Sequence, residues 1–134
     1  LRELAFEAVK ACLDDAGIPL KEVDSMVTGI AGDEFALGLQ PSAPVHDYIG
    51  FHPKPNYRVE GACATGSIAL RTGIMNVASG LADVVLVVGV EKMTEVPTSI
   101  ATEIMGKAGD SIWEYPFGTT FPGYSAMWAL AIIA

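Results

Sequence analysis

At 134 residues, 51% of them hydrophobic, the chain can bury one domain's core, and its formal net charge of −8 argues against nucleic acid, whose phosphates an acidic surface repels. Its two cysteines, Cys12 and Cys63, show neither a metal-ligating spacing nor a disulfide framework, so no metal and an intracellular, reducing setting are expected. The helical pattern is already running at Leu1 and the sequence stops in the apolar run SAMWALAIIA, so a piece of a larger chain is expected. That run is too short for the roughly 20 residues of a bilayer span, which makes it an expected buried segment and leaves no membrane partner.

In chain order, LRELAFEAVKACLDDA reads as an amphipathic helix. Leu1, Leu4, Ala5, Ala8, Cys12, Leu13 and Ala16 recur at helical spacing, which places Cys12 on the core stripe. Gly17, followed by Ile18 and Pro19, supplies the stop, with glycine in the left-handed cap. VDSMVTGI at 23–30 reads as a strand. Residues 31–55 are irregular, with a short helix around Val45–Ile49 closed by Gly50 and the prolines that follow.

NYRVE at 56–60 is a strand that runs into a glycine- and alanine-rich turn, and a helix is expected from Ala64 to Ser79 with Gly80 as its cap. Arg71 is the only charge between Gly61 and Ala82, and a helix apolar nearly all round must be covered on nearly all sides. DVVLVVG at 83–89 is a β-branched run suited to a buried parallel strand, completing a strand–helix–strand unit. The segment that follows is rich in Gly, Pro, Thr and Ser. A stretch of that length is functional or belongs to a separate subdomain.

The chemistry concentrates at VEGACATGS, 59–67, where Cys63 stands among small residues at the start of a helix. Unpaired N–H groups and the positive end of the helix dipole there favour negative charge on its sulfur, the form that acts as nucleophile. The same N–H groups can hold an oxyanion, and Gly61, Ala62, Ala64, Thr65 and Gly66 leave room for an acyl group. Gly66 also lets helix and sheet, or helix and ligand, come close. The competing reading is a small buried hydrophobe between close-packed elements, since most free cysteines are inert.

Other motifs fail on specifics. Gly61 to Ser67 lacks the lysine of a phosphate loop, and Gly66 stands three residues after Cys63 where a nucleophile elbow wants two. No G-x-G-x-x-G follows a strand. His46 and His52 read as solvated or locally bonded loop histidines, and Glu91 and Glu95 as structural or exposed carboxylates.

RVEGACATGSIAL (58–70), GLADVVLVVGVEKMTEVP (80–97) and PFGTTFPGYSAM (116–127), in this order and spacing, resemble the N-terminal half of a thiolase, most closely the archaeal and sterol-carrier-type members. The family carries its nucleophile in a C-[AS]-[ST]-G setting, which Cys63-Ala64-Thr65-Gly66 matches. The resemblance thus implies that Cys63 is catalytic. Many thiolases have asparagine where Glu60 stands. Ketoacyl synthases share part of the pattern but usually show Thr-Ala-Cys, where this chain has Gly-Ala-Cys.

What the resemblance implies is an α/β, five-layered αβαβα fold, of which this would be the N-terminal half, with a mixed, mainly parallel sheet and a buried central helix: the core half over 1–97, and the beginning of the family's loop subdomain over 98–134. It implies acyl transfer from acyl-CoA to Cys63, then carbon–carbon bond formation with a second acyl-CoA, or the reverse cleavage of a 3-ketoacyl-CoA. Coenzyme A would be substrate and product, with no permanently bound cofactor, in a cytoplasmic homodimer or tetramer pairing through the strand at Asn56–Glu60. The activating histidine and a second acid/base cysteine would come from the C-terminal half, and no such role falls to His46, His52 or Cys12. The alternatives are a non-catalytic acyl-CoA-binding or scaffold subunit and a ketoacyl synthase using acyl-carrier protein.

Overall fold

The computed structural model describes residues 1–36 and 38–133. It divides into two compact units, Leu1–Lys92 and Met93–Ala134.

The first unit is built on three strands, β1 (Ser25–Gly29), β2 (Asn56–Val59) and β3 (Val85–Gly89), in the order β2-β1-β3. Where a mixed, mainly parallel sheet is the sequence expectation, all three strands here are parallel. Thr28 stands opposite Arg58 on one side of β1 and opposite Val88 on the other. The strand–helix–strand unit read from 56 to 89 thus crosses over an intervening strand, because β1 occupies the place between its two ends.

Alternation along the strands sorts the side chains into two faces. Met26, Ile30, Leu86, Val88 and Val90 join Ala5 and Val9 of α1 (Arg2–Ala16) and Val45 and Ile49 of α2 (Ser42–Ile49) in one buried core. The opposite face meets α3 (Thr65–Ala78), through Gly29 of β1 and Val85 and Val87 of β3. The unit is a helix–sheet–helix sandwich.

The glycine stops at the ends of α1 and α3 are realised. Gly17 has φ 65°, and Ile18 N–H returns to Leu13 O at 3.2 Å; Gly80 has φ 74°, and Leu81 N–H returns to Asn76 O at 3.1 Å. Both are left-handed caps that a side chain would strain.

Two burial expectations are corrected. Cys12 is exposed: Ala5 and Val9 are the buried residues of α1, and its second half turns Leu13 toward the core instead. Spacing fixes which residues share a face, not how far along the helix that face is covered. The helix after Cys63 is not enclosed either. Only Thr65, Ala69 and Gly73, one row along α3, are buried, while Leu70, Ile74, Met75 and Val77 are exposed. One sheet covers one row, and within this unit no second layer lies on the other face.

The second unit contains α4 (Thr98–Gly106), a 3-10 turn at Tyr115–Phe117 and α5 (Phe121–Ile133). Buried Tyr124 donates its hydroxyl hydrogen to Gly106 O at 3.2 Å, tying the two helices together. Asp110 accepts from the N–H groups of Ile112 and Trp113 at 2.7 and 2.8 Å and shapes the intervening loop. The terminal apolar run, expected to be buried, is helical, but Tyr124 is the only buried residue of α5. Its apolar character finds no cover within its own unit.

No helix among the described residues is long and apolar enough to cross a membrane.

Candidate active site

Parallel strands deliver their carboxyl ends to one edge of a sheet, where open α/β folds assemble their sites. At that edge stand Ile30–Asp33 after β1, Gly61–Cys63 after β2 and Glu91 after β3. The three segments are linked by side chains. Arg58 Nε donates to Ile30 O at 2.9 Å, and its guanidinium also pairs with Asp33. Glu91 Oε2 accepts from the Ala31 N–H at 3.1 Å. The loop after β1 is thereby held from both neighbouring strands.

Cys63 occupies the middle of a 3-10 turn, Ala62–Ala64, immediately before α3. Sequence spacing puts it at or near the first turn of the helix, and the structure places it in the tight turn just ahead. It is exposed, so the reading of a small buried hydrophobe does not hold in this chain.

The turn is heavily bonded. Ala62 has φ 48°, in the left-handed region, and is the only residue other than glycine with positive φ among the described residues. Its N–H donates to Glu60 Oε1 at 2.5 Å, and the Ala64 N–H donates to Gly61 O at 2.9 Å. Thr65 Oγ1 accepts from the Gly61 N–H at 3.0 Å and donates to Ala62 O at 2.6 Å. Every residue flanking Cys63 is thus fixed by a specific partner.

Small residues around this turn have distinct reasons. A Cβ on Gly29 would lie 3.1 Å from Ala69 Cβ and 3.2 Å from Thr65 Cγ2, so that glycine seats the start of α3 on β1. A Cβ on Gly66 would meet nothing within 4 Å. Gly66 therefore does not serve helix–sheet packing within this chain, and the space beside it is open.

The structure sets His46, His52 and Cys12 apart from the turn that carries Cys63. His46 Nε2 is bonded to Lys54 O at 3.1 Å, and Lys54 Nζ donates to Lys21 O at 2.5 Å and to Val23 O. These residues precede β1 and β2, so His46 and neighbouring His52 sit at the amino edge of the sheet. Cys12 is on α1. Among the described residues no three metal-ligating side chains converge.

Sequence reasoning missed the left-handed Ala62, because alanine carries no signal for that conformation. It also missed the double bonding of Thr65. A threonine four residues after Gly61 and three after Ala62 was the available hint, since short hydroxyl side chains bond nearby backbone.

Comparison with known proteins gives a consistent result. The family described as "Thiolase, N-terminal domain" matches residues 1–118. The chain is 45% identical over 129 residues to an acetyl-CoA acetyltransferase of Methanocaldococcus jannaschii, covering 96% of this chain and 32% of that protein. It is 41% identical over 129 residues to an acetyl-CoA acetyltransferase of Methanothermobacter thermautotrophicus, covering 96% and 33%. Sterol carrier protein 2 of Bos taurus is 35% identical over 106 residues, 79% of this chain and 19% of that protein. The chain spans about a third of the length of the two archaeal relatives.

Proposed function

The chain belongs to the thiolase family through its N-terminal domain, and from that premise we propose that it is the nucleophile-bearing part of an acyl-CoA C-acyltransferase. The observation that carries this reading is the placement of Cys63, exposed on a rigid turn at the carboxyl edge of a parallel sheet with open space beside Gly66. A nucleophile that must meet a thioester needs both access and a fixed direction of approach.

In this reading Cys63 Sγ attacks the carbonyl carbon of an acyl-CoA. The new carbon–sulfur bond replaces the old one, and the cysteine proton ends on the departing CoA sulfur. A second acyl-CoA, deprotonated at its α-carbon, then attacks the Cys63 thioester, releases the thiol and leaves as a 3-ketoacyl-CoA. Cleavage runs the same steps backward. The N–H groups of Ala62 and Ala64 are taken up by Glu60 and Gly61, which supports the amide of Cys63 itself as the oxyanion donor in this reading.

The reading extends to assembly and setting. β2 is an edge strand of the three-stranded sheet, which supports a homodimer pairing along Asn56–Glu60. We assign the residues from 98 onward to the start of a loop subdomain. A cysteine that forms a thioester must be a free thiol, which suits a cytoplasmic location.

The test uses the full-length protein and acetyl-CoA labelled in the acetyl group. Label is expected on the wild type and on Cys12→Ser, and none on Cys63→Ser. Label retained by the Cys63 variant overturns the assignment.

A further inference from the structure

We propose that Thr65 is a positioning residue for Cys63, its buried hydroxyl holding the nucleophile's turn in the shape acyl transfer requires. The inference rests on the reading of Cys63 as nucleophile and adds a residue to it.

Thr65 is 6% exposed, and both hydrogen-bonding roles of its hydroxyl are used on the turn. As acceptor it takes the Gly61 N–H at 3.0 Å; as donor it reaches Ala62 O at 2.6 Å. Those two backbone groups bracket the torsions of Gly61 and Ala62, which together decide where the chain sets down Cys63. Ala62 lies there at φ 48°, which an L residue adopts only when its surroundings impose it. The hydroxyl of Thr65 is one such imposition, with the Glu60 carboxylate on the Ala62 N–H as the other.

The other branch of the side chain faces the sheet. Thr65 Cγ2 comes 3.2 Å from the position a Cβ would take on Gly29, so its methyl rests on the backbone of the central strand. Thr65 thus connects a rigid element to a strained turn without touching the reacting sulfur. Valine keeps the methyl contact and removes the hydroxyl; serine keeps the hydroxyl and removes the methyl. The two substitutions separate packing from hydrogen bonding.

The experiment measures acyl-enzyme formation from acetyl-CoA by rapid quench, with kcat and KM, on full-length Thr65→Val, Thr65→Ser and Cys63→Ser. Thr65→Val is expected to acylate at least about tenfold more slowly with KM within about twofold of wild type, because small displacements of a nucleophile are costly in rate. Thr65→Ser is expected to restore the rate to within about threefold. A folded valine variant that acylates at the wild-type rate, or a serine variant as slow as valine, overturns the proposal. If the valine variant does not fold, Thr65→Ala is read in its place, and failure of both to fold assigns Thr65 to folding and overturns the positioning role. Label surviving on Cys63→Ser overturns the nucleophile instead, so the two failures are distinguishable.

Discussion

Gly73 of α3 lies so close over Val87 of β3 that a Cβ on the glycine would come 2.5 Å from Val87 Cγ2, with Val85 Cγ1 at 3.5 Å. The helix that begins beside Cys63 is pressed onto the sheet at its middle by the absence of one side chain. Together with Gly29 under the start of the helix, this contact sets the distance between α3 and the strands.

Gly73→Leu is accordingly expected to destabilise the full-length protein by about 1–3 kcal/mol, the range for overpacking a well-filled contact. Urea denaturation checks it through the midpoint at constant slope. A variant as stable as wild type would mean that helix and strand can part freely at this point.

Gly66 should behave in the opposite way. Nothing lies within 4 Å of a Cβ there, and alanine favours a helix over glycine, so Gly66→Ala should raise stability by up to about 1 kcal/mol. If the open space receives substrate, the same variant should form acyl-enzyme about tenfold more slowly while its melting temperature holds or rises. Unchanged acylation would show that substrate does not use this space.

Ala62 carries the backbone cost of the turn. A left-handed conformation penalises a residue with a Cβ by about 1–2 kcal/mol, partly offset on mutation to glycine by the greater freedom of the unfolded chain. Ala62→Gly is therefore expected to stabilise by up to about 1 kcal/mol, whereas β-branched Ala62→Val should destabilise. Calorimetry of the three proteins gives the order directly, and a glycine variant less stable than wild type would contradict it.

Acid stability should depend on Asp24. Its Oδ2 accepts from the N–H groups of Val84 and Asp83 at 2.8 and 2.9 Å, fastening the entry of β1 to the approach to β3. These backbone bonds, Val84 first and then Asp83, hold its carboxyl below the ordinary carboxylate range, with a smaller contribution from Lys54. Because the folded value lies below the unfolded one of about 3.9, the stabilisation is full above that pH and is lost as pH falls through the folded value. The stability gap between wild type and Asp24→Asn should hold from pH 7 to about pH 5 and narrow on further acidification. A gap constant down to pH 2.5 would exclude the carboxylate as its source.

The elements most legible in the sequence were those whose signals are local. VVLVVG announced β3 by β-branched content, and the limits of α3 differ by one residue at each end from the span read off Ala64–Ser79. Gly17 and Gly80 marked helix ends because a positive φ is a property of the residue itself. What could not be read depends on distant partners. The insertion of β1 between β2 and β3 follows from no feature of 56–89, and the exposure of Cys12 follows from how far α2 and the sheet extend along α1. An apolar helix such as α3 reveals that its surroundings are apolar, not that these residues supply them. At the candidate site, motif and resemblance point to Cys63, whereas its backbone support rests on Thr65, Glu60 and a strained Ala62, whose roles are geometric.

The order β2-β1-β3 also bears on how the chain is made. β1 emerges first and must become the centre of the sheet, yet its bonds to the β3 side join residues 60 apart, as Asp24 and Val84 illustrate. Contacts so distant in sequence close slowly, since the entropy of the intervening loop is spent before the pairing returns anything. During that interval Met26, Val27 and Ile30 have no finished sheet to enter. Synthesis thus passes through a stage in which the most deeply buried strand of the unit waits with a bare edge, and rescue from aggregation at that stage depends on how soon VVLVVG arrives.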